Sequence, residues 1–292
     1  MTPARRSLFS ALLLSASFLP AQCANDHRTN KNAGMLITDF TLAGTQAISA
    51  TDLAAITSDM IGSCYDENSE EMGERVRASF QERGYFQAEV KNLSVKPSDP
   101  LGIPKPVTLE GEVSEGPRFR LGQVTFVKNH AFPTDELRHQ FPLKTHDFVE
   151  RGKVAAGLEG LRKLYGTRGY LDWLAIPDTE FASTMNLTIT IEEGPQYHMG
   201  KLDILAEREP AARLRAEWKL AEGKVYDNTY INDYLTAAHD LLPANFSRAN
   251  VQTFQNCPDA LVHIRLIVDP AQESAHSELK TVPCDDDKKD SN

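Results

Sequence analysis

Met185, Leu187, Ile189 and Ile191 alternate with polar residues, the two-residue period of a strand with one buried face. Val107, Leu109 and Val113 do the same ahead of Glu115, and Val262, Ile264, Leu266 and Val268 ahead of Asp269. Helical spacing appears elsewhere. Met72, Val76 and Phe80 stand four apart, and Val154, Leu158, Leu161 and Tyr165 stand three or four apart, as an amphipathic helix requires. Both helical runs end in Arg-Gly-Tyr, at 83–85 and 168–170, where Gly84 and Gly169 suit the left-handed residue that closes a helix.

The elements recur. Glu115-Gly116-Pro117 and Glu193-Gly194-Pro195 lie 78 residues apart, each followed by a bulky pair, a glycine and further alternating residues. An aromatic or His followed by Asp precedes each long helix, at Tyr65-Asp66, His146-Asp147 and Tyr226-Asp227, spaced 81 and 80 residues. Those aspartates are expected to cap the helices, with Asp147 and Glu150 forming a capping box. Each unit thus reads strand, short helix, long helix, strand, strand. In the first, these are Leu36 to Leu42, Ser49 to Ile61, Ser69 to Arg83, Tyr85 to Val95 and Val107 to Ser114. The fold class is α+β, in three tandem β-α-α-β-β domains at 36–117, 118–196 and 197–270, the third degenerate. Four prolines in 97–106 predict a projecting loop between the last two strands of the first unit.

The junction string carries a phase slip. Phe119 and Leu121 alternate, Gly122 interrupts, and Val124 and Phe126 resume out of step; Tyr197, Met199, Gly200, Leu202 and Ile204 repeat this. Glu-Gly-Pro therefore ends one domain, and Gly122 and Gly200 permit a bulge in the first strand of the next.

Composition adds an address and removes several functions. The chain has 292 residues, 41% hydrophobic and 25% charged, near the average of soluble domains. Arg5 and Arg6, an apolar run from Leu8 to Leu19, and Pro20-Ala21 read as a signal peptide over 1–21, followed by a linker over 22–35. Cys23 leaves lipidation open. Removing Arg5 and Arg6 takes the formal charge from -10 to -12, which disfavours nucleic acid. Exported cysteines at 23, 64, 257 and 284 allow three pairings, of which Cys257 with Cys284 is the most local. Residues 271–292 are polar and acidic, and a largely disordered tail is expected there. Metal spacings, phosphate loops and nucleophile motifs are missing, so no enzyme, metal or cofactor is expected.

The strand–helix–helix–strand–strand order, with Arg-Gly-Tyr closing the second helix and Glu-Gly-Pro closing the last strand, resembles the polypeptide-transport-associated (POTRA) domains. These stand in tandem before the outer-membrane β-barrels that assemble or secrete proteins. The resemblance covers roughly 36–270. It implies a three-stranded mixed sheet under two helices in each domain, and a periplasmic interaction role. The partner would be an outer-membrane β-barrel assembly subunit or an unfolded client, with membrane association peripheral through that partner. A docking module of a cell-envelope or division complex is the rival reading. The remaining tail is too short to encode a barrel.

A sheet covered on one face leaves an edge strand open to an incoming strand. The candidate edges follow Arg-Gly-Tyr: Tyr85, Phe86, Ala88, Val90 and Leu93 in the first domain, and Tyr170, Leu171, Trp173 and Leu174 in the second. Alternation slips between Val90 and Leu93, which predicts a bulge. Arg83 and Arg168 are expected to neutralise helix C-termini.

Overall fold

The computed structural model describes residues 34–65, 68–99, 101, 104–275 and 279–284. The predicted signal peptide, most of the linker, Cys23, Asp66 and the acidic residues from Asp285 onward lie outside these. The chain divides after Arg118 into two compact units.

In the first unit, β1 (Met35–Ala43) lies parallel to β4 (Lys105–Ser114), and β3 (Glu89–Pro97) runs antiparallel on its far side. α1 (Ala50–Met60) and α2 (Ser69–Gln81) make the crossover. Ser49 caps α1 by accepting the Asp52 N–H at 3.0 Å. The predicted helical stripe of Met72, Val76 and Phe80 is buried against Ile37, Leu109 and Val113. A fourth, two-residue strand, β2 (Cys64–Tyr65), pairs with β1, so this sheet has the order β2-β1-β4-β3 and is not three-stranded. The expected loop over 97–106 is also shorter. Pro97 and Pro106 lie at strand ends, where a missing N–H costs the ladder nothing.

The second unit holds two more such sheets. β5 (Leu121–Val127), β7 (Met185–Glu192) and β6 (Leu174–Phe181) have the order β5-β7-β6, under α3 (Thr134–Arg138) and α4 (Arg151–Thr167). β8 (His198–Leu205), β10 (Leu261–Ile267) and β9 (Val251–Asn256) have the order β8-β10-β9, with α5 (Arg208–Glu217) and α6 (Tyr230–Ala237). Met185, Leu187, Ile189 and Ile191 all face the core, as their alternation predicts. Gly157 on α4 lets the Phe141 ring approach where a Cβ would overlap it. In the third domain Trp218 packs edge-on against Tyr230 and Tyr234, and burial pushes the Tyr234 hydroxyl up to about 12.

The aromatic-or-His–Asp landmarks have a different role from the one expected. Segments 64–65, 146–149 and 223–226 pair with the outer edges of β1, β5 and β8. His146 N–H donates to Leu121 O at 2.8 Å, and Tyr226 N–H to Tyr197 O at 2.9 Å. The predicted capping box at Asp147 does not form: its carboxylate accepts the Lys144 N–H at 2.8 Å, and α4 starts at Arg151 with Glu150 making no side-chain cap. α2 is capped by Asn68, which accepts the Glu71 N–H. The landmark recurs where each first strand has its outer edge covered; Asp66 lies outside the described residues, and Asp227 does accept the Thr229 N–H at 2.9 Å just ahead of α6.

The glutamate of Glu-Gly-Pro closes each of the first two domains. Glu115 is buried and its carboxylate accepts N–H groups from Gln46, Ala47 and Ile48 at 2.9, 2.6 and 3.1 Å. Glu193 accepts from His130 and Ala131 at 2.7 and 2.8 Å and from the Tyr165 hydroxyl at 3.0 Å. Burial, then this carboxylate, raises the Tyr165 pKa. The following Gly116 and Gly194 turn the chain at φ 67° and 68°, and Pro117 and Pro195 then end the domains.

Bulges fall where the slips predict them. β5 shifts register between Leu121 and Val124, and β8 between Met199 and Leu202. At each, a backbone N–H leaves the ladder and a side chain on the neighbouring strand takes it: Asn186 Oδ1 accepts from Gln123 at 3.0 Å, and His263 Nδ1 from Lys201 at 2.8 Å. A Cβ at Gly122 or Gly200 would overlap that same Asn or His, so glycine leaves this bond room to form.

Replacing Glu115 by Ala should cost about 2 kcal/mol in urea unfolding, because three backbone N–H groups lose a charged acceptor, and Glu115→Gln should cost less. An unchanged midpoint for both would refute the clamp. His263 gives a pH signature. Burial first, then Lys201, holds its pKa below the ordinary 6.5, and the neutral ring is the acceptor. The unfolded chain binds this proton near pH 6.5 and the folded chain only at lower pH. The stabilisation is therefore complete above pH 6.5 and is lost as pH falls from there through the folded pKa. His263→Asn, which copies Asn186, should flatten that part of the stability profile in thermal unfolding between pH 7.5 and 5.

Candidate functional site

Two edge strands, β3 and β6, pair on one side only among the described residues. They are equivalent in their domains and share a short sequence pattern, Val95-Lys96-Pro97 and Ala175-Ile176-Pro177. The registers match: Val95 stands opposite Leu109 and Pro97 opposite Val107, as Ala175 stands opposite Ile191 and Pro177 opposite Ile189. Proline has no N–H, so Pro97 and Pro177 sit at slots that point away from the ladder. Strand alternation then turns the N–H and C=O of Val95 and Ala175 outward as well. Ser98 N–H donates inward to Pro106 O at 2.9 Å, which sets the same phase for β3.

The predicted site residues divide. Val90 and Leu93 lie on β3 and Leu174 on β6, but Tyr85, Phe86 and Ala88, like Tyr170, Leu171 and Trp173, form turns ahead of the strands. Each helix ends by folding back, Tyr85 N–H to Phe80 O and Tyr170 N–H to Tyr165 O, both at 3.1 Å, and this delays the strand. Tyr85 and Ala88 are buried in the first core, and Leu171 packs on the third domain's core. The outward positions 95, 97, 175 and 177 were missed, although a proline at the end of an alternating run is an edge-strand signal. The predicted slip in β3 is a bulge between Lys91 and Ser94, with Asn92 at φ 53°.

A groove runs between the edge strand and the second helix in both domains, and the two differ in chemistry. In the first, about 480 Å³, Glu70, Glu74 and Arg77 face Glu89 and Lys91. Lys91 bonds Glu89 at 2.7 Å and holds its carboxyl below the ordinary range. In the second, about 330 Å³, Ala155, Leu158, Trp173, Leu174 and Ala175 give an apolar lining, rimmed by the Glu159–Arg162 pair. Trp173 stacks on Tyr165 with ring centroids 5.2 Å apart, and its indole N–H is buried without an acceptor among the described residues. Leu174 and Ile176 are 50% and 45% exposed.

The Arg-Gly-Tyr corners are structural. Arg83 donates to Ser79 O at 2.9 Å at the end of its helix, while Arg168 lies over the Phe132 ring. Gly84 and Gly169 have φ 92° and 79°. Gly169 also receives the third domain: Tyr197 N–H donates to its carbonyl at 2.8 Å, and a Cβ there would overlap Tyr197 O. Tyr197 donates its hydroxyl to Asp172 at 2.6 Å, and burial, then that carboxylate, raises its pKa.

Cys257 and Cys284 are joined in a disulfide, and Cys64 is disulfide-bonded as well. Asp172 lies beside the Cys257–Cys284 pair, but those sulfurs are bonded to each other and do not form a metal ligand set. No helix among the described residues is long and apolar enough to cross a membrane.

A family model, POTRA (surface antigen variable number repeat), matches residues 119–194. A curated protein of Treponema pallidum (strain Nichols), named "Putative outer membrane protein assembly factor", is 27% identical over 166 residues. That match covers 55% of this chain, and the chain spans about a fifth of the relative's length, 20%. Among solved structures, Haemophilus influenzae BamA POTRA3-5 superposes with a TM-score of 0.57 at 16% identity, covering 80% of this chain and 96% of that one. BamA from Haemophilus ducreyi lacking POTRA domains 1-3 matches with a TM-score of 0.41 at 16% identity, covering 54% of this chain and 29% of that one. Residues 119–194 thus match the POTRA family model, and the chain shares the fold of a solved segment of three tandem POTRA domains.

Proposed function

We propose that this chain is a non-enzymatic, periplasmic protein-interaction module for outer-membrane protein assembly, and that it receives an extended segment of a client or a barrel-assembly subunit on the β3 and β6 edges. One observation carries this reading. Two domains keep the same edge open, with the same outward proline and a groove beside it, while the opposite edge of every sheet is covered by the chain itself. An incoming strand would bond the outward groups of Val95 or Ala175, and its alternate side chains would enter the groove. The chemistry of the grooves separates the two sites. The first favours polar and charged side chains. The second favours apolar ones.

The prolines at 97 and 177 also limit unwanted pairing, since each removes one donor from the edge and shortens the template. The acidic balance of the chain disfavours anionic lipid and nucleic acid, which leaves protein as the partner class.

Val95→Pro and Ala175→Pro each remove an outward N–H without touching the sheet's own ladder. Capture of outer-membrane β-barrel proteins from envelope extract should fall at least tenfold in the double variant, with the circular dichroism spectrum unchanged. Ile176→Pro, at an inward slot, should instead destabilise the second domain by about 3 kcal/mol. Undiminished capture by the double variant, or recovery with inner-membrane division proteins in place of barrel proteins, would reject the reading.

A further inference from the structure

The third domain's edge strand, β9, is not open like β3 and β6. Val282 N–H donates to Gln255 O at 2.8 Å and Val282 O accepts the Cys257 N–H at 2.9 Å, a one-residue parallel ladder at the end of β9. The disulfide from Cys257 to Cys284 fixes this segment in place across 27 residues of chain. Residues 281–284 are exposed and add no buried apolar side chain, and among the described residues two backbone hydrogen bonds and the disulfide hold them. The segment covers only the 255–257 end of the strand. By alternation, Val251 and Thr253 turn their backbone groups to the same side as Gln255.

We propose that β9 is a third strand-accepting site, kept closed by the chain's own residues 281–284 and opened to an extended peptide by thiol–disulfide exchange at Cys257–Cys284. The tethered segment competes at the high effective concentration of an intramolecular ligand, so a peptide in trans is excluded while the bond is intact. An untethered peptide can run the full six residues of β9 and form more bonds than the tail does. The tail is therefore a weak occupant made strong by its covalent link.

The reductant is a dithiol. Its thiolate attacks the Cys284 sulfur, forming a mixed disulfide and releasing the Cys257 thiolate, which takes up a proton. The second thiol of the reductant then displaces Cys284, leaving two cysteine thiols on the chain and a disulfide on the reductant. The Asp172 carboxylate lies 3.6 Å from the Cys284 sulfur, so a thiolate formed there meets a like charge and is driven out of the groove. That groove, about 490 Å³, is walled by Asp172, Pro195, Tyr197 and Gln255 together with the tail, so release of the tail clears space beside the exposed edge.

The proposal shares with the reading above the premise that an open sheet edge accepts a strand, and the test separates the two. The probe is a fluorescein-labelled peptide of residues 278–284 carrying Ser in place of the cysteine. It should bind the full oxidised chain at least tenfold more weakly than the Cys257→Ser/Cys284→Ser variant, and adding Val282→Pro, which removes the tail's own donor, should tighten binding further. Hydrogen exchange should place the bound peptide on residues 251–257. Dithiothreitol treatment of the unmodified chain should lower protection of the Cys257 and Val282 amides at least tenfold while β10 stays protected. Equal peptide affinity in the oxidised and variant chains overturns the proposal, as does protection of those two amides that survives reduction. Peptide protection confined to β3 and β6 overturns it while leaving the reading above intact. Unchanged partner capture by the Val95→Pro/Ala175→Pro variant, with the peptide still mapping to β9, does the reverse.

Discussion

Each of the first two domains depends on a carboxylate that joins its two ends. The parallel pairing of the first strand with the last requires a crossover through two helices, and the loop that begins this crossover presents backbone N–H groups that need acceptors. Glu115 and Glu193 supply them from the end of the last strand, across 62 to 69 residues of sequence. A buried carboxylate meeting several N–H donors keeps its charge compensated, and the same contacts pin the loop. In the third domain Asp269 stands in this place and is one methylene shorter. Its carboxylate turns to its own Ala271 N–H at 3.0 Å, and the backbone N–H groups of Val268 and Asp269 tie the domain end to Leu205 O instead.

With the domain ends joined, the sheets manage their edges in a consistent way. Short segments cover the outer edges of β1, β5 and β8, and the antiparallel strand lies at the opposite edge of each sheet. The first and second domains keep that strand open but blunt it with an outward proline and, on β3, with a bulge and the Lys91 and Lys96 ion pairs. The third closes it with its own chain. Among the described residues the array thus holds two edges paired on one side only, of contrasting chemistry, and one occupied edge.

Much of this was legible in the residues. The alternation at 185–192 and the four-residue spacing of Met72, Val76 and Phe80 identified the buried faces, because burial acts on every strand and helix through the same local periods. The slips at Gly122 and Gly200 marked bulges for an equally local reason. The landmarks at Tyr65, His146 and Tyr226 were visible as a repeat, but their partners were not. An aromatic or His followed by Asp at a helix start looks the same whether its Asp caps the helix or its backbone pairs with a strand some thirty residues earlier. Tyr85 and Leu171 looked like edge residues because they follow a helix stop, and the fold-back after Gly84 and Gly169 turned them into packing residues.

The sequence by itself therefore determined the order of elements, their buried faces, the sites of the bulges and the tandem repeat, since these follow from the spacing of apolar residues and glycines along a few turns of chain. The pairing of Cys257 with Cys284 was legible as the most local choice, but tertiary structure alone decided which backbone groups remain outward, what the Glu-Gly-Pro carboxylates hold, and that the tied tail pairs with β9. Those outcomes rest on hydrogen bonds and a disulfide between residues far apart in the chain, which no local period records.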